Sequence, residues 1–248
     1  MGNSISPSTN LLLASLPDDA QQRIYPQLKL EQQPLGKIIY KPGQIVDYVY
    51  FPADSIVSLL YVMVDGASAE ISVVGNEGIV GITVFMGGES TPNWAIVQSG
   101  GSAYRLPASA LRIEFNTYPE TRMIMLRYTQ ALIIQMAQTA VCNRHHSIQE
   151  QLCRWLLLSL DRLASPEVIM TQELIANMLG VRREGVTEAA GKLQKLGVIR
   201  YHRGHIIVLD RAHLESLCCE CYAVVKKESD QLFEIPRSRS HPHLDVGT

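Results

Sequence analysis

Glycine and proline punctuate this chain every few residues from Gly36 to Pro107, then vanish from Glu120 to Cys142. These residues are the strongest local breakers of regular structure, so the two textures predict two kinds of architecture joined end to end. Short runs rich in β-branched and aromatic residues fill the punctuated part: Lys37–Tyr40, Tyr48–Phe51, Ile56–Met63, Ala69–Val74, Ile79–Met86, Trp94–Gln98 and Ala103–Leu106. Several short strands at this spacing predict a β-sandwich or small barrel, and Asp65-Gly66 is a hairpin signal between two of them. Residues 1–28 read as a helical lead-in, with Leu11–Leu16 and Gln21–Leu28 as its apolar pieces.

The unpunctuated part predicts one long helix. Met125, Tyr128, Leu132, Met136 and Thr139 recur every three or four residues. At 1.5 Å per residue the span is ~35 Å long. A near-heptad stripe on such a helix is expected to meet a partner helix, which makes these five residues the candidate dimer interface. The competing reading is a helix packed on its own barrel. Gln130, Gln135 and Gln138 are expected to form a polar face. A second helix follows over Ile148–Leu163, broken at Ser165-Pro166.

The stretch from Thr171 to Leu196 has helix-turn-helix spacing. Thr171 can cap a first helix, with Gln172 and Glu173 in its first turn and Leu174, Ile175 and Met178 on its buried side. Gly180 permits a sharp turn. Val181, Val186, Ala189, Ala190 and Leu193 give the second helix an inner face. Its outer face begins with Arg182, Arg183 and Glu184 and continues with Thr187, Glu188 and Lys192. Two β runs, Ile199–His202 and Ile206–Leu209, are joined by Arg203-Gly204 and form a wing. Leu214–Lys226 reads as a last helix.

A major groove admits a helix whose N-terminal side chains touch base edges. Arginine can grip guanine O6 and N7 with two hydrogen bonds, and glutamate can accept from cytosine N4. Charge supports a nucleic-acid partner here. The chain as a whole carries −2, but residues 1–120 hold 6 Lys/Arg against 11 Asp/Glu, and residues 121–248 hold 16 against 13. The candidate DNA-binding residues are Thr171, Gln172, Arg182, Arg183, Glu184, Thr187, Glu188, Lys192 and Arg203. No catalytic triad or phosphate loop is visible, so catalysis is not expected.

Barrel, long helix and winged helix-turn-helix, in that order, resemble the Crp/Fnr family of bacterial transcription regulators. The resemblance spans about residues 20–215. Its strongest part is Val181-Arg-Arg-Glu-Gly-Val-Thr187, similar to the family's Ser-Arg-Glu-Thr-Val recognition helix. It implies that Arg183 and Glu184 take the base-reading positions. A further base-reading arginine of some members falls at Glu188. It also implies a homodimer joined through the long helix, reading double-stranded DNA with two-fold symmetry. RNA polymerase is a further expected partner.

The family's cyclic AMP pocket needs a glutamate and an arginine in the barrel. The matching positions here read Ile82 and Pro92 or Asn93, and no Lys or Arg occurs between Lys41 and Arg105. A buried phosphate without a cation is poorly compensated. Residues 1–141 contain neither His nor Cys, so haem, iron–sulfur and cupin-type metal sites in the barrel are not expected. A small apolar or neutral effector, a protein partner or no effector remains. Ile82, Thr83, Phe85, Asn93 and Trp94 are the candidate effector pocket, with Met86 and Tyr128 as further lining or plain core.

Five cysteines form no disulfide framework, which fits a reducing cytoplasm. Cys142 and His146 stand four apart, and Cys218, Cys219 and Cys221 are clustered. Two ligands in the first group are too few for a tight site, and the second is expected to be an apolar helix face, so no cofactor and no metal are expected. No run of about 18 apolar residues crosses a membrane. The expected class is α+β: an N-terminal β-barrel or jelly roll with a cyclic-nucleotide-binding-like plan (1–118), a long dimerisation helix (119–146), a C-terminal winged helix-turn-helix (147–236) and a disordered tail (237–248). The alternative is a regulatory scaffold whose barrel binds a ligand or partner and whose winged domain contacts protein only.

Overall fold

The computed structural model describes residues 5–163 and 165–234; the expected tail over 237–248 lies outside the described residues. Short helices α1 (Leu11–Ala14) and α2 (Asp18–Ile24) lead into strands β1 (Lys29–Gln33), β2 (Ile38–Tyr40), β3 (Tyr48–Pro52), β4 (Ile56–Val62), β5 (Ser68–Val74), β6 (Trp94–Ser99) and β7 (Gly101–Pro107). They form two antiparallel sheets, ordered β1-β7-β3 and β2-β6-β4-β5. Phe51, Val57, Leu59, Ala95 and Leu106 are buried in the core of this domain. The β-rich first domain is therefore as expected, with two local differences. β1 has the sequence Lys-Leu-Glu-Gln-Gln, and these polar residues at a sheet edge carry little hydrophobic pattern. The expected strand over Ile79–Met86 is absent as such. Val80 makes one bridge to Tyr50, then Gly81 (φ +108°) reverses the chain into a single 3-10 turn, Ile82–Val84.

Helix α3 (Ala108–Thr117) follows Pro107 directly, and α4 runs from Pro119 to His145. The predicted interface stripe on α4 faces inward. Met125, Tyr128 and Leu132 are at most 3% exposed, Thr139 is also buried, and Met136 packs against the barrel core. Each buried side chain of this kind contributes about 1.5–3 kcal/mol, and here the protomer's own barrel collects it. Gln135 is likewise not on a polar face. Its Oε1 accepts from Ser72 Oγ and the Val73 amide, both at 2.7 Å, and so docks α4 on β5. Tyr128 donates to the Ile79 carbonyl at 3.2 Å. Its ring lies over Gly78, where an added Cβ would clash with the ring. The outward face of α4 instead presents Met123, Leu126, Gln130, Ile133 and Ala137.

A second core belongs to the C-terminal half. Helix α5 (Ile148–Leu160) starts with a complete capping box between Ser147 and Glu150 and is buried on nearly every face. It supports β8 (Glu167–Ile169), α6 (Gln172–Leu179), α7 (Arg183–Lys195), β9 (Ile199–His202), β10 (His205–Val208), α8 (Arg211–Ser216) and α9 (Glu220–Leu232). The predicted last helix is two helices, because Cys219 adopts an extended N-cap conformation (φ −75°, ψ 163°). That break lets α8 pack on α5 while α9 runs back along α4. Arg127 of α4 donates to the Gln231 carbonyl at 2.7 Å, near the far end of α9.

A buried chain of polar groups joins barrel to α5. Ser58 contacts Glu70 and, at 2.7 Å, Gln98 Oε1; Gln98 Nε2 donates to Ser159 Oγ at 3.1 Å. Ser58 has one proton to give. Donation to Gln98 leaves Glu70 to supply the proton between itself and Ser58. Burial agrees, pushing the Glu70 carboxyl up to about 7, against the opposing pull of the Arg154 and Arg162 charges.

Candidate nucleic-acid interface

The two-helix motif is built by short-range chemistry. Thr171 Oγ1 accepts from the Leu174 amide and opens α6. Gly180 closes it in the left-handed region (φ +66°), where a side chain would be strained. The Val181 amide then bonds back to the Ala176 carbonyl at 3.0 Å, and Arg182 leads into α7. Ile175, Ala176, Val186, Ala189 and Leu193 are buried between the helices and α5. Their amphipathic spacing turns the other face of α7 to solvent.

Arg182, Arg183 and Glu184 are all exposed at the start of α7. No side chain caps this terminus, so its first amides point outward beside two arginines. That is the arrangement a phosphate oxygen accepts from. Thr187 and Glu188 are exposed one turn on, and Glu188 pairs with Lys192 at 2.8 Å. Thr187 Oγ1 is 2.6 Å from Gln172 Oε1 and 3.0 Å from the Arg183 carbonyl, which ties the recognition face to the start of α6.

The wing is a three-stranded sheet, β8-β10-β9. Its first strand, β8, is too short to read from sequence. Arg203 (φ +48°) and Gly204 (φ +86°) form the tip. The Gly204 carbonyl accepts from the Met170 amide at 2.7 Å, so the tip stands beside Thr171. Gln194 of α7 accepts the Tyr201 amide at 2.9 Å. Tyr201, absent from the expected site, lies near enough to Arg183 for that guanidinium to oppose the burial that raises its hydroxyl. Its only sequence signal was its place in the wing. The nine expected residues thus lie along α6, α7 and the wing tip, the last held against the start of α6.

The expected effector residues do not share one environment. Ile82 and Thr83 lie in the 3-10 turn. Phe85 is core, stacked on Phe115 with ring centroids 5.0 Å apart. Asn93 is buried against Thr91 and donates to the Trp94 carbonyl at 3.2 Å. Trp94 lies under Lys41, whose Nζ is 5.9 Å from the ring centroid. Tyr128 is core and Met86 is half exposed.

A model of the cyclic nucleotide-binding domain matches residues 31–118, and a model of the Crp-like helix-turn-helix domain matches residues 150–217. The two follow one another on either side of α4. The chain belongs to the Crp/Fnr family. It is a DNA-binding transcription regulator. Among the relatives of this Crp/Fnr regulator are the global nitrogen regulators of Synechococcus elongatus and Nostoc sp. The first is 21% identical over 192 residues, covering 74% of this chain and 86% of the relative. The second is 22% identical over 182 residues, covering 70% and 82%. Among solved structures, FixK2 from Bradyrhizobium japonicum superposes with a TM-score of 0.65 at 17% identity, covering 77% of this chain and 98% of that one. A CRP-family transcriptional regulator from Thermus thermophilus gives 0.64 at 18% identity, covering 75% and 95%. At such identities the structures share the fold. No helix among the described residues is long and apolar enough to cross a membrane.

Proposed function

We propose that this regulator reads a two-fold-symmetric DNA site as a homodimer, with Arg183 and Glu184 contacting base edges. The exposed Arg182-Arg183-Glu184 at an uncapped helix start carries this reading. Arg182, Lys192 and Arg203 meet phosphates on either side, while Thr171 and Gln172 approach the backbone from the start of α6. Glu188, paired with Lys192, tempers that charge.

The dimer forms through the outer face of α4. Met123, Leu126, Gln130, Ile133 and Ala137 alternate spacings of three and four, the repeat of a coiled-coil seam, and all are exposed. Two recognition helices then stand ~34 Å apart, one turn of duplex. The division of labour is a sensor over residues 1–118, a dimer helix over 119–146 and a reading domain over 147–236. The protein acts by binding, in the cytoplasm, and RNA polymerase is its downstream partner. Neutral Ile82 and Asn93 favour a barrel that answers to something other than a cyclic nucleotide. Such control requires an effector that binds two arrangements of the winged domains unequally.

Gel shifts of source-genome fragments at several salt concentrations test this. A sequence-selective complex that weakens steeply with salt is expected. A winged domain that contacts only protein gives no selective complex at any salt.

A further inference from the structure

Two cysteine clusters that are far apart in sequence meet at one point. Cys142 and His146 occupy the end of α4, while Cys219 caps α9 and Cys221 lies in its first turn. One ligand atom from each lies within 4.8 Å of the others. Cys142 Sγ is 3.6 Å from Cys219 Sγ, and Cys221 Sγ is 3.6 Å from His146 Nδ1. We propose that Cys142, His146, Cys219 and Cys221 form a tetrahedral zinc site that clasps the winged domain to the end of the long helix.

The two separations of 3.6 Å fit a single ion. Zinc bonds of ~2.3 Å to sulfur and ~2.0–2.1 Å to nitrogen place tetrahedral neighbours ~3.5–3.8 Å apart. Sulfurs around a polynuclear iron–sulfur cluster stand much farther from one another. Three thiolates and one imidazole are the soft, closed ligand set of a structural zinc site, with no position left for a substrate. The three sulfurs are buried, with Cys142 fully so.

The surroundings complete the site. Glu220 Oε2 lies 3.3 Å from His146 Nε2, the ring nitrogen facing away from the sulfurs. A carboxylate there fixes the tautomer that leaves Nδ1 free to ligate. Cys219 and Cys221 stand together at the start of α9. Buried Arg154 donates to Thr139 at 3.1 Å, one turn before Cys142 on α4, and adds positive charge nearby. An apolar cluster of small side chains would require neither the inward imidazole nitrogen nor the carboxylate behind it. Sequence spacing hid the site, because each half alone offers too few ligands.

The site also has a mechanical consequence. Its ligands flank the whole span from Ser147 to Cys218, which contains α5, the two-helix motif and the wing. A bound ion fixes both ends of that span against α4. It therefore limits how far the winged domain can turn relative to the dimer helix. This inference concerns metal binding and stands independently of which DNA the protein reads.

The test uses the full chain, purified under reducing conditions, loaded with zinc and freed of excess. Elemental mass spectrometry is expected to find one zinc ion per chain. Cobalt replacement is expected to give sulfur-to-cobalt charge-transfer bands and the intense visible bands of a tetrahedral thiolate site. Cys142→Ser and Cys219→Ser should lose these bands, whereas Cys153→Ala and Cys218→Ala keep them. Glu220→Gln should weaken zinc affinity by ~10–100-fold with the bands retained. Should the ligand variants fail to fold, the wild-type metal content and cobalt spectrum still decide. A zinc-loaded wild-type chain that retains no metal, or an iron centre in place of zinc, overturns the proposal, as do unchanged bands in folded Cys142→Ser.

Discussion

Thr187 on the second helix of the motif and Gln172 on the first are joined side chain to side chain, Oγ1 to Oε1 at 2.6 Å. The bond sits on the exposed face and ties α7 to the start of α6. Such a bond contributes about 0.5–1.5 kcal/mol net. Thr187→Val and Gln172→Ala should each lower urea stability by about that amount, and the double variant should cost less than the two losses combined. Losses that simply add would mean the pair does not act as one unit.

Glu70 gives stability a distinct pH dependence. Its carboxyl is held up at about 7 in the folded chain against an ordinary 4.5, chiefly by burial. A raised acid favours folding while the unfolded chain also holds its proton, so the contribution is complete below about 4.5 and is lost as pH rises toward 7. The loss is on the order of 3 kcal/mol at most. Urea unfolding from pH 4.5 to 8 should fall more steeply for the wild type than for Glu70→Gln, which keeps a donor toward Ser58. Parallel curves for the two proteins would contradict a proton shared along Glu70, Ser58 and Gln98.

The outer seam of α4 predicts where a dimer can be broken. Ile133 is 50% exposed in the single chain and belongs to the seam. Ile133→Asp should yield a monomer by analytical ultracentrifugation with unchanged circular dichroism. Leu132, one position earlier, is core, so Leu132→Asp should unfold the barrel contact instead. A dimer that survives Ile133→Asp would place the interface elsewhere.

Much of this was legible in the sequence. Gly180, Thr171 and the apolar spacing of Val186, Ala189 and Leu193 announce the two-helix motif because turn chemistry and helical period are local. The stripe at Met125, Tyr128 and Leu132 was legible as a buried face but not as to what buries it. Periodicity reports that a face is covered, and only the register of Gln135 on Ser72 and Val73 shows that the barrel covers it. β1 was hidden by its polar residues, and the Ile79–Met86 run misled because Gly81 turns it after one bridge. The four-ligand cluster was invisible because its halves are joined only when α9 folds back along α4.

The proposed function stands on base reading by Arg183. The most direct measurement compares wild type and Arg183→Ala on a selected site, on that site with single base pairs changed, and on unrelated duplex at fixed salt. The predicted result is a loss of ~1–3 kcal/mol on the selected site, relaxed preference at one base pair, and little change on unrelated DNA. An equal loss on every duplex would contradict it and reduce Arg183 to a phosphate contact.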